Sequence, residues 1–169
     1  EHILTHSNPR IARMAALVLE ELLVSTGASQ RLRDQAMVVL EALLEDPQSR
    51  ALKPPAIRIL GRLPRGSTQA MLLAHHQSEA NQTLREMLLS ALGDNADQAG
   101  ISTLKARFQD LATCGEARHA TLATRRADDA LASPESRTWL ETIAAPRLVA
   151  CADDKAEAGE PPDADLFAL

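Results

Sequence analysis

The stretch LREMLLSALGDN, at positions 84–95, is the part of this chain that best defines its fold class. Its apolar residues recur at intervals of three and four, which is typical of one face of an α-helix. A second apolar run with the same period, at 101–111, begins after a short polar connection. Because so short a connection forces neighbouring helices to lie antiparallel, the sequence predicts a helix pair over about 81–92 and 96–111.

Helix start and stop signals extend the prediction to the rest of the chain. Capping residues, prolines and glycines divide it into segments with helical period. The expected helices run from Asn8 to Gly27, from Ser29 to Asp46, from Pro54 to Leu63, from Ser67 to Leu73, over 116–131 and from Ser133 to Pro146. Gly61 and Gly93 are expected to weaken or end their helices. Together with the pair above, these segments predict roughly seven to eight helices.

The first two helices differ in their apolar pattern. Met14, Val18 and Leu22 share one face of the first helix. The second contains the run MVVL at 37–40, which is apolar nearly all round the helix. Since a helix that is apolar on every side is usually buried, the second helix is expected to be the most buried one.

Composition supports an all-α chain. There are only two Phe, one Trp and no Tyr, whereas Ala and Leu are plentiful. Sheets favour aromatic and β-branched residues, while Ala, Leu, Arg, Gln and Glu are strong helix formers. The 169 residues are enough for one domain with a hydrophobic core, which we place at residues 1–150.

Charge is distributed unevenly along the chain. Residues 1–130 carry 15 Lys and Arg against 15 Asp and Glu, whereas residues 131–169 carry 3 basic and 8 acidic side chains. From residue 151 onward the chain is rich in Asp, Glu, Pro, Ala and Gly, so 151–169 is predicted to be a disordered acidic tail. Its last four residues, Leu-Phe-Ala-Leu, belong either to that disordered end or to a short docking motif.

Two segments of the chain are similar to each other. PAIRILGRL at 55–63 and LREMLLSALGD at 84–94 each combine an early Arg, an apolar stripe and a Gly near the helix end. This pattern resembles the HEAT-like repeats of bacterial proteins, with the best match over 81–111, a fair one over 54–76 and a loose one over 8–46. The resemblance implies a short, irregular α-solenoid of antiparallel helix pairs that binds other proteins, and it transfers no functional residue.

Candidate catalytic and metal-binding residues are few. His75 and His76 are adjacent, so on a helix their rings point about 100° apart and do not easily share a metal ion. Glu79 could add a ligand, but a solvated helix end is the simpler interpretation. Cys114 and His119 could form a thiolate–imidazole pair, although the sequence offers no third group beside them. We therefore predict a non-enzymatic chain with no cofactor and no metal.

The two cysteines, Cys114 and Cys151, do not belong to a CxxC pair. Two thiols in a reducing compartment are the favoured interpretation, and a single disulfide is the alternative. No apolar run reaches the roughly 20 residues that cross a bilayer, and no signal peptide is recognisable. These features favour a cytoplasmic protein without a membrane span.

Seven basic or imidazole side chains are the candidates for partner binding. They are Arg58, Arg62, Arg65, His75, His76, Arg125 and Arg126. Because acidic residues balance basic ones throughout the body, ion pairs between helices or contact with a protein partner are favoured over nucleic-acid binding.

The predicted function is a non-catalytic protein–protein interaction or scaffold module that uses a surface of stacked helix pairs. An alternative is a helical accessory or regulatory domain of a larger enzyme or signalling protein. Nucleic-acid binding, and an enzyme similar to the chromophore lyases that use such repeats, are the less favoured alternatives.

Overall fold

The structure, a computed structural model, describes residues 9–24, 29–131 and 136–157. Nearly all of these residues are helical, and no β-strand occurs among them. The all-α fold predicted from composition and periodicity is therefore confirmed.

Nine α-helices follow one another along the described ranges. Their bounds are α1 Pro9–Val24, α2 Gln30–Glu45, α3 Lys53–Arg62, α4 Gln69–Ser78, α5 Gln82–Asn95, α6 Gln98–Arg107, α7 Cys114–Leu131, α8 Ser136–Trp139 and α9 Ala145–Glu157. Short 3₁₀ turns at Pro47–Ser49 and Phe108–Asp110 precede α3 and α7, and a π-helical turn at Leu140–Ala144 joins α8 to α9.

Side-chain caps begin α2, α5 and α6. Ser29, Asn81 and Asp97 each accept a hydrogen bond from the backbone N–H three residues further on, at 3.3, 3.0 and 3.0 Å. Each cap satisfies one of the backbone donors that the first turn of a helix leaves unpaired. The helix starts predicted near Ser29 and Asn81 are thus confirmed.

Interior side chains hold the turn between α3 and α4. Ser67, the expected cap of α4, instead donates to a carbonyl within the turn, and Thr68 occupies the N-cap position without a side-chain cap. The Thr68 hydroxyl donates to the Leu60 carbonyl at 2.9 Å. The buried Asn95 amide, at the end of α5, donates to the Leu63 carbonyl at 2.9 Å and accepts from the Thr68 N–H at 3.1 Å.

The odd-numbered helices form a row. α1 contacts α3, α3 contacts α5, α5 contacts α7 and α7 contacts α9, while α2, α4 and α6 each pack against the odd-numbered helix that follows. The core lies between these two sets, with α5 at its centre. The expectation that α2 is the most buried helix is therefore wrong, and Val38 on its outer side is 65% exposed.

Gly61 and Gly93 lie inside helices and serve close packing. A Cβ at Gly61 would lie 3.0 Å from the Ala91 Cβ, and one at Gly93 would lie 2.6 Å from the Ala123 Cβ. The prediction that Gly93 stops α5 is wrong, because the helix continues to Asn95. The two glycines instead let α3, α5 and α7 approach one another closely.

Pro146 does not stop the last helix, contrary to expectation. The N–H of Ala145 donates to the carbonyl of Leu140, five residues earlier, as in a π-helix. In a regular helix a proline ring clashes with the carbonyl four residues earlier, and the wider turn relieves that clash. Helix α9 therefore continues to Glu157, past the predicted domain boundary at residue 150, and residues 158–169 of the predicted tail lie outside the described residues.

The expectation of two free thiols is also wrong. Cys114 and Cys151 form a disulfide, with S–S 2.10 Å and Cα–Cα 5.7 Å, that joins the first turn of α7 to α9. Close by in the fold, Phe108 and Trp139 pack edge to face with ring centroids 5.0 Å apart, and the Arg147 guanidinium lies 5.2 Å from the Phe108 ring centroid. These contacts fasten the last helices to the middle of the chain.

Candidate functional site

Two of the predicted binding residues take part in an ion pair between helices. Arg58 and Arg62, on α3, both bond to the Glu20 carboxylate of α1, whose side chain is only 8% exposed. The Arg58 contact is 3.1 Å long. About half of each arginine side chain remains exposed, and the two positive charges share the single negative charge of Glu20.

The other predicted arginines differ in their contacts. Arg65 donates to the carbonyl of Ala96 at 3.0 Å, so it braces the start of α6. Arg126 pairs with Asp94 at 3.2 Å, while Arg125 is exposed. Arg58, Arg62 and Arg126 are thus paired with carboxylates, which weakens the case for nucleic-acid binding.

His75 and His76 point into different surroundings. His75 lines an open groove of about 900 Å³ between α2, α3 and α5, together with Lys53 and Glu79, which form a 3.0 Å ion pair. His76 lies on the other side of α4, in contact with Glu116. No group of three or more His, Cys, Asp or Glu in the described part of the chain could hold a metal ion.

Glu116 is the most elaborately bonded acidic group that the structure describes. Its carboxylate accepts from the backbone N–H groups of Ala112 and Thr113, at 2.9 and 3.0 Å, and from Arg85 on α5. The Glu116 N–H in turn donates to the Thr113 hydroxyl at 3.1 Å. Thr113 and Glu116 therefore form a capping box at the start of α7. The pattern Thr-x-x-Glu is visible in the sequence, and its importance was missed there.

Burial and bonding set the charge states of this group. Burial alone would raise the pKa of Glu116, but the bonds from Arg85 and the Thr113 N–H, with the charge of Arg85, hold it below its usual 4.5. Burial lowers the pKa of His76, although Glu116 opposes that shift from 3.3 Å. The resulting site is a carboxylate compensated by Arg85, beside a neutral imidazole.

A cleft of about 510 Å³ opens beside Glu116. It is lined by four leucines and by six polar side chains. The leucines are Leu73, Leu89, Leu104 and Leu111, and the polar side chains are His76, Gln77, Arg85, Arg107, Asp110 and Glu116. Its size and mixed lining are those of a small-ligand pocket. Two arginines and two carboxylates line the cleft, so it has no strong preference for an anion or a cation.

A second histidine joins two helices in a triad-like arrangement. His119 Nδ1 lies 2.9 Å from the Ser90 hydroxyl, and His119 Nε2 lies 3.8 Å from a Glu86 oxygen. Ser90 and Glu86 belong to the middle of α5, where the backbone N–H groups are taken up by the helix. A serine nucleophile also needs donors for the oxyanion that it creates, and a helix interior does not supply them. The disulfide likewise removes Cys114 as a nucleophile.

Helix α1 presents the clearest anomaly on the described surface. It buries Ala16, Glu20 and Leu23 against its neighbours, yet four large apolar side chains on the opposite side are exposed. They are Met14 (61%), Leu17 (50%), Val18 (55%) and Leu22 (50%). We call these four residues the α1 apolar face. Single exposed apolar residues are ordinary, whereas four on one side of a helix are a candidate interaction surface.

Comparisons with protein-family models, with curated proteins and with solved structures give no match. Among the described residues, no helix is both long enough and apolar enough to span a membrane.

Proposed function

We propose that this chain is a non-catalytic protein–protein interaction module, built as a short, HEAT-like α-solenoid. The support for the solenoid is the row of odd-numbered helices, each backed by an even-numbered one, together with close glycine–alanine packing at Gly61 and Gly93. Each unit of such an array contacts its sequence neighbours and leaves the outer faces of the array for partners.

The α1 apolar face is the observation that carries the proposal. Its side chains lie half or more in water, and covering them with a partner would recover roughly 1 kcal/mol for each side chain. The charged groups that the sequence had indicated as partner contacts are mostly engaged within the chain, as Glu20 with Arg58 and Arg62 shows. Apolar contact, with charge at the rim, is therefore the mode of binding that the surface favours.

The disulfide indicates the redox environment in which the chain folds. Disulfides persist in oxidising compartments and are rare in a reducing cytosol. Because Cys114 and Cys151 are bonded, one of the premises behind the predicted cytoplasmic location, two reduced thiols, does not hold. We propose an oxidising environment for the folded chain.

Matched surface variants test the function. The chain, Val18→Glu and Val38→Glu are immobilised, and proteins retained from an extract of the source cells are compared. Val18 and Val38 are both exposed valines on helices, but only Val18 belongs to the α1 apolar face. We expect at least one protein retained by the chain and by Val38→Glu to be lost with Val18→Glu. Equal retention by all three would show that α1 is not the binding surface.

The alternative of an accessory domain makes the same surface an internal contact with a larger protein, so it predicts the same loss with Val18→Glu. Nucleic-acid binding predicts retention of DNA or RNA that weakens steeply with salt and does not depend on Val18.

A further inference from the structure

The cleft beside Glu116 changes in character from its inner part to its opening. Leu89, Leu104 and Glu116 line it and are at most 2% exposed. Arg107 and Asp110 line it as well, but both are exposed. A molecule held in this space of about 510 Å³ therefore meets leucine side chains at its inner end and charged groups at its outer end.

The charges of the inner part are satisfied within the chain. The Glu116 carboxylate accepts from two backbone N–H groups and from Arg85. Arg85 also donates to the carbonyl of Glu79, at 3.2 Å. Burial lowers the pKa of His76, so its imidazole adds no charge at neutral pH. These groups shape the cleft but offer no unpaired charge to a ligand.

Arg107 and Asp110 remain as the charges that a ligand can pair with. They are three residues apart, yet no ion pair joins them, and within 9–24, 29–131 and 136–157 neither pairs with another charged side chain. The Arg107 guanidinium lies against the uncharged amide of Gln77. The opening of the cleft therefore carries one guanidinium and one carboxylate, each without a counter-charge.

Opposite charges at one opening favour a ligand that carries both signs. A ligand with one charge gains from one of these groups and is repelled by the other. A zwitterion gains from both, because its carboxylate can accept two parallel N–H bonds from Arg107 and its ammonium group can donate to Asp110. An aliphatic side chain on the same molecule would cover the leucines of the inner part. Amino acids and short peptides with aliphatic side chains combine these three features.

We propose that the cleft binds an aliphatic zwitterion, a free amino acid such as leucine or a short aliphatic peptide. Arg107 holds its carboxylate, Asp110 holds its ammonium group, and the leucines contact its side chain. Among the described residues, none of those that line the cleft belongs to α1. The inference therefore goes beyond the proposed function and does not depend on the α1 apolar face.

Isothermal titration calorimetry on the full chain tests the ligand class with four probes. They are leucine, the dipeptide leucyl-leucine, isocaproate (leucine without its ammonium group) and isoamylamine (leucine without its carboxylate). We expect leucine or leucyl-leucine to bind with a dissociation constant below about 1 mM, at least about tenfold tighter than either probe with a single charge. Whichever of the two zwitterions binds more tightly identifies the source, a free amino acid or a peptide.

Substitutions at the opening test the roles of the two charges. Arg107→Gln and Asp110→Asn should each weaken zwitterion binding by about tenfold or more. Asp110→Asn should at the same time tighten isocaproate, and Arg107→Gln should tighten isoamylamine, because each removes a repulsive charge. Such a gain cannot come from loss of folding. Arg125→Gln and Asp129→Asn, at exposed positions of α7 outside the cleft, are the matched controls and should change nothing.

The inference is overturned if neither leucine nor leucyl-leucine binds at up to about 10 mM. It is equally overturned if isocaproate or isoamylamine binds as tightly as the zwitterions, because the ligand class is then wrong. Zwitterion binding that both Arg107→Gln and Asp110→Asn leave unchanged would place the site elsewhere on the chain.

Discussion

Glu20, Glu116 and Asp128 are acidic side chains that the fold buries, and each lies against a basic group from another helix. Burying a carboxylate is costly unless it is paired. The burial of these three side chains therefore depends on the helices that carry their basic partners. Their partners include Arg58 and Arg85, which stand early in the two segments that resemble each other. The early arginines of the repeat-like pattern therefore hold helices together.

Replacing Glu116 with Gln should destabilise the chain by about 3 kcal/mol at neutral pH, because Arg85 is left without its counter-charge. The folded pKa of Glu116 lies below 4.5, so its contribution is present above pH 4.5 and is lost as the pH falls through that lower value. The loss of stability in acid should thus be smaller in the variant. Urea unfolding from pH 7 to 3 measures both effects, with the exposed Glu41→Gln as control. If the free energy of unfolding falls in acid as steeply in Glu116→Gln as in the unchanged chain, this role of Glu116 is contradicted.

The two half-buried histidines should affect the stability of the fold at a higher pH than Glu116 does. Burial lowers the folded pKa of His76 against the pull of Glu116, with Arg85 and Arg107 adding to the lowering, and burial likewise lowers that of His119. The unfolded chain then binds protons more readily below pH 6.5, so stability should fall as the pH drops through 6.5. Thermal melting between pH 7.5 and 5 checks this. A melting temperature that rises over that interval would contradict it.

At the scale of helices, the helix limits were largely predictable because their signals are local. Ser29 and Asn81 begin helices in the sequence pattern and in the structure alike. Pro146 and Gly93 were misjudged for a common reason: their effect depends on what lies beside them. A π-helical turn accommodates the proline, and a neighbouring helix fills the space that the glycine leaves.

Gly93→Ala tests the close approach of α5 and α7. In an isolated helix this change stabilises by about 1 kcal/mol, because alanine is the better helix former. Here the added methyl would overlap Ala123, so we expect a net destabilisation of about 1 to 3 kcal/mol, measured by chemical unfolding. A stabilised variant would show that the two helices do not pack this closely. Gly61→Ala should be milder, since its nearest contacts are 3.0 Å away.

At the scale of the whole molecule, the row of helices could be anticipated from the short connections, but the outward face of α1 could not. The sequence groups Met14, Val18 and Leu22 correctly on one side of α1. That helix also carries apolar residues on its other side, and only packing against α3 decides which side enters the core. The ion pairs of Arg58 and Arg62 could not be predicted for a related reason, because their acidic partner Glu20 stands on a distant part of the chain.

The same ambiguity explains why the candidate surface was not predicted. A basic side chain can be proposed as a binding residue from its charge alone. An apolar residue is assigned to the core by default, and only the structure shows whether it is exposed. The binding surface proposed from the structure is consequently apolar, while the one predicted from the sequence is basic.

The methionine methyl groups offer the most direct test of the central claim, that the α1 apolar face is the binding surface. The chain has four methionines, of which Met14 lies on that face while Met37, Met71 and Met87 are partly buried elsewhere. Carbon-13 methyl spectra are recorded as a captured partner is added. We predict that the Met14 resonance shifts while the other three stay in place. A Met14 resonance that stays fixed while binding proceeds would contradict the account.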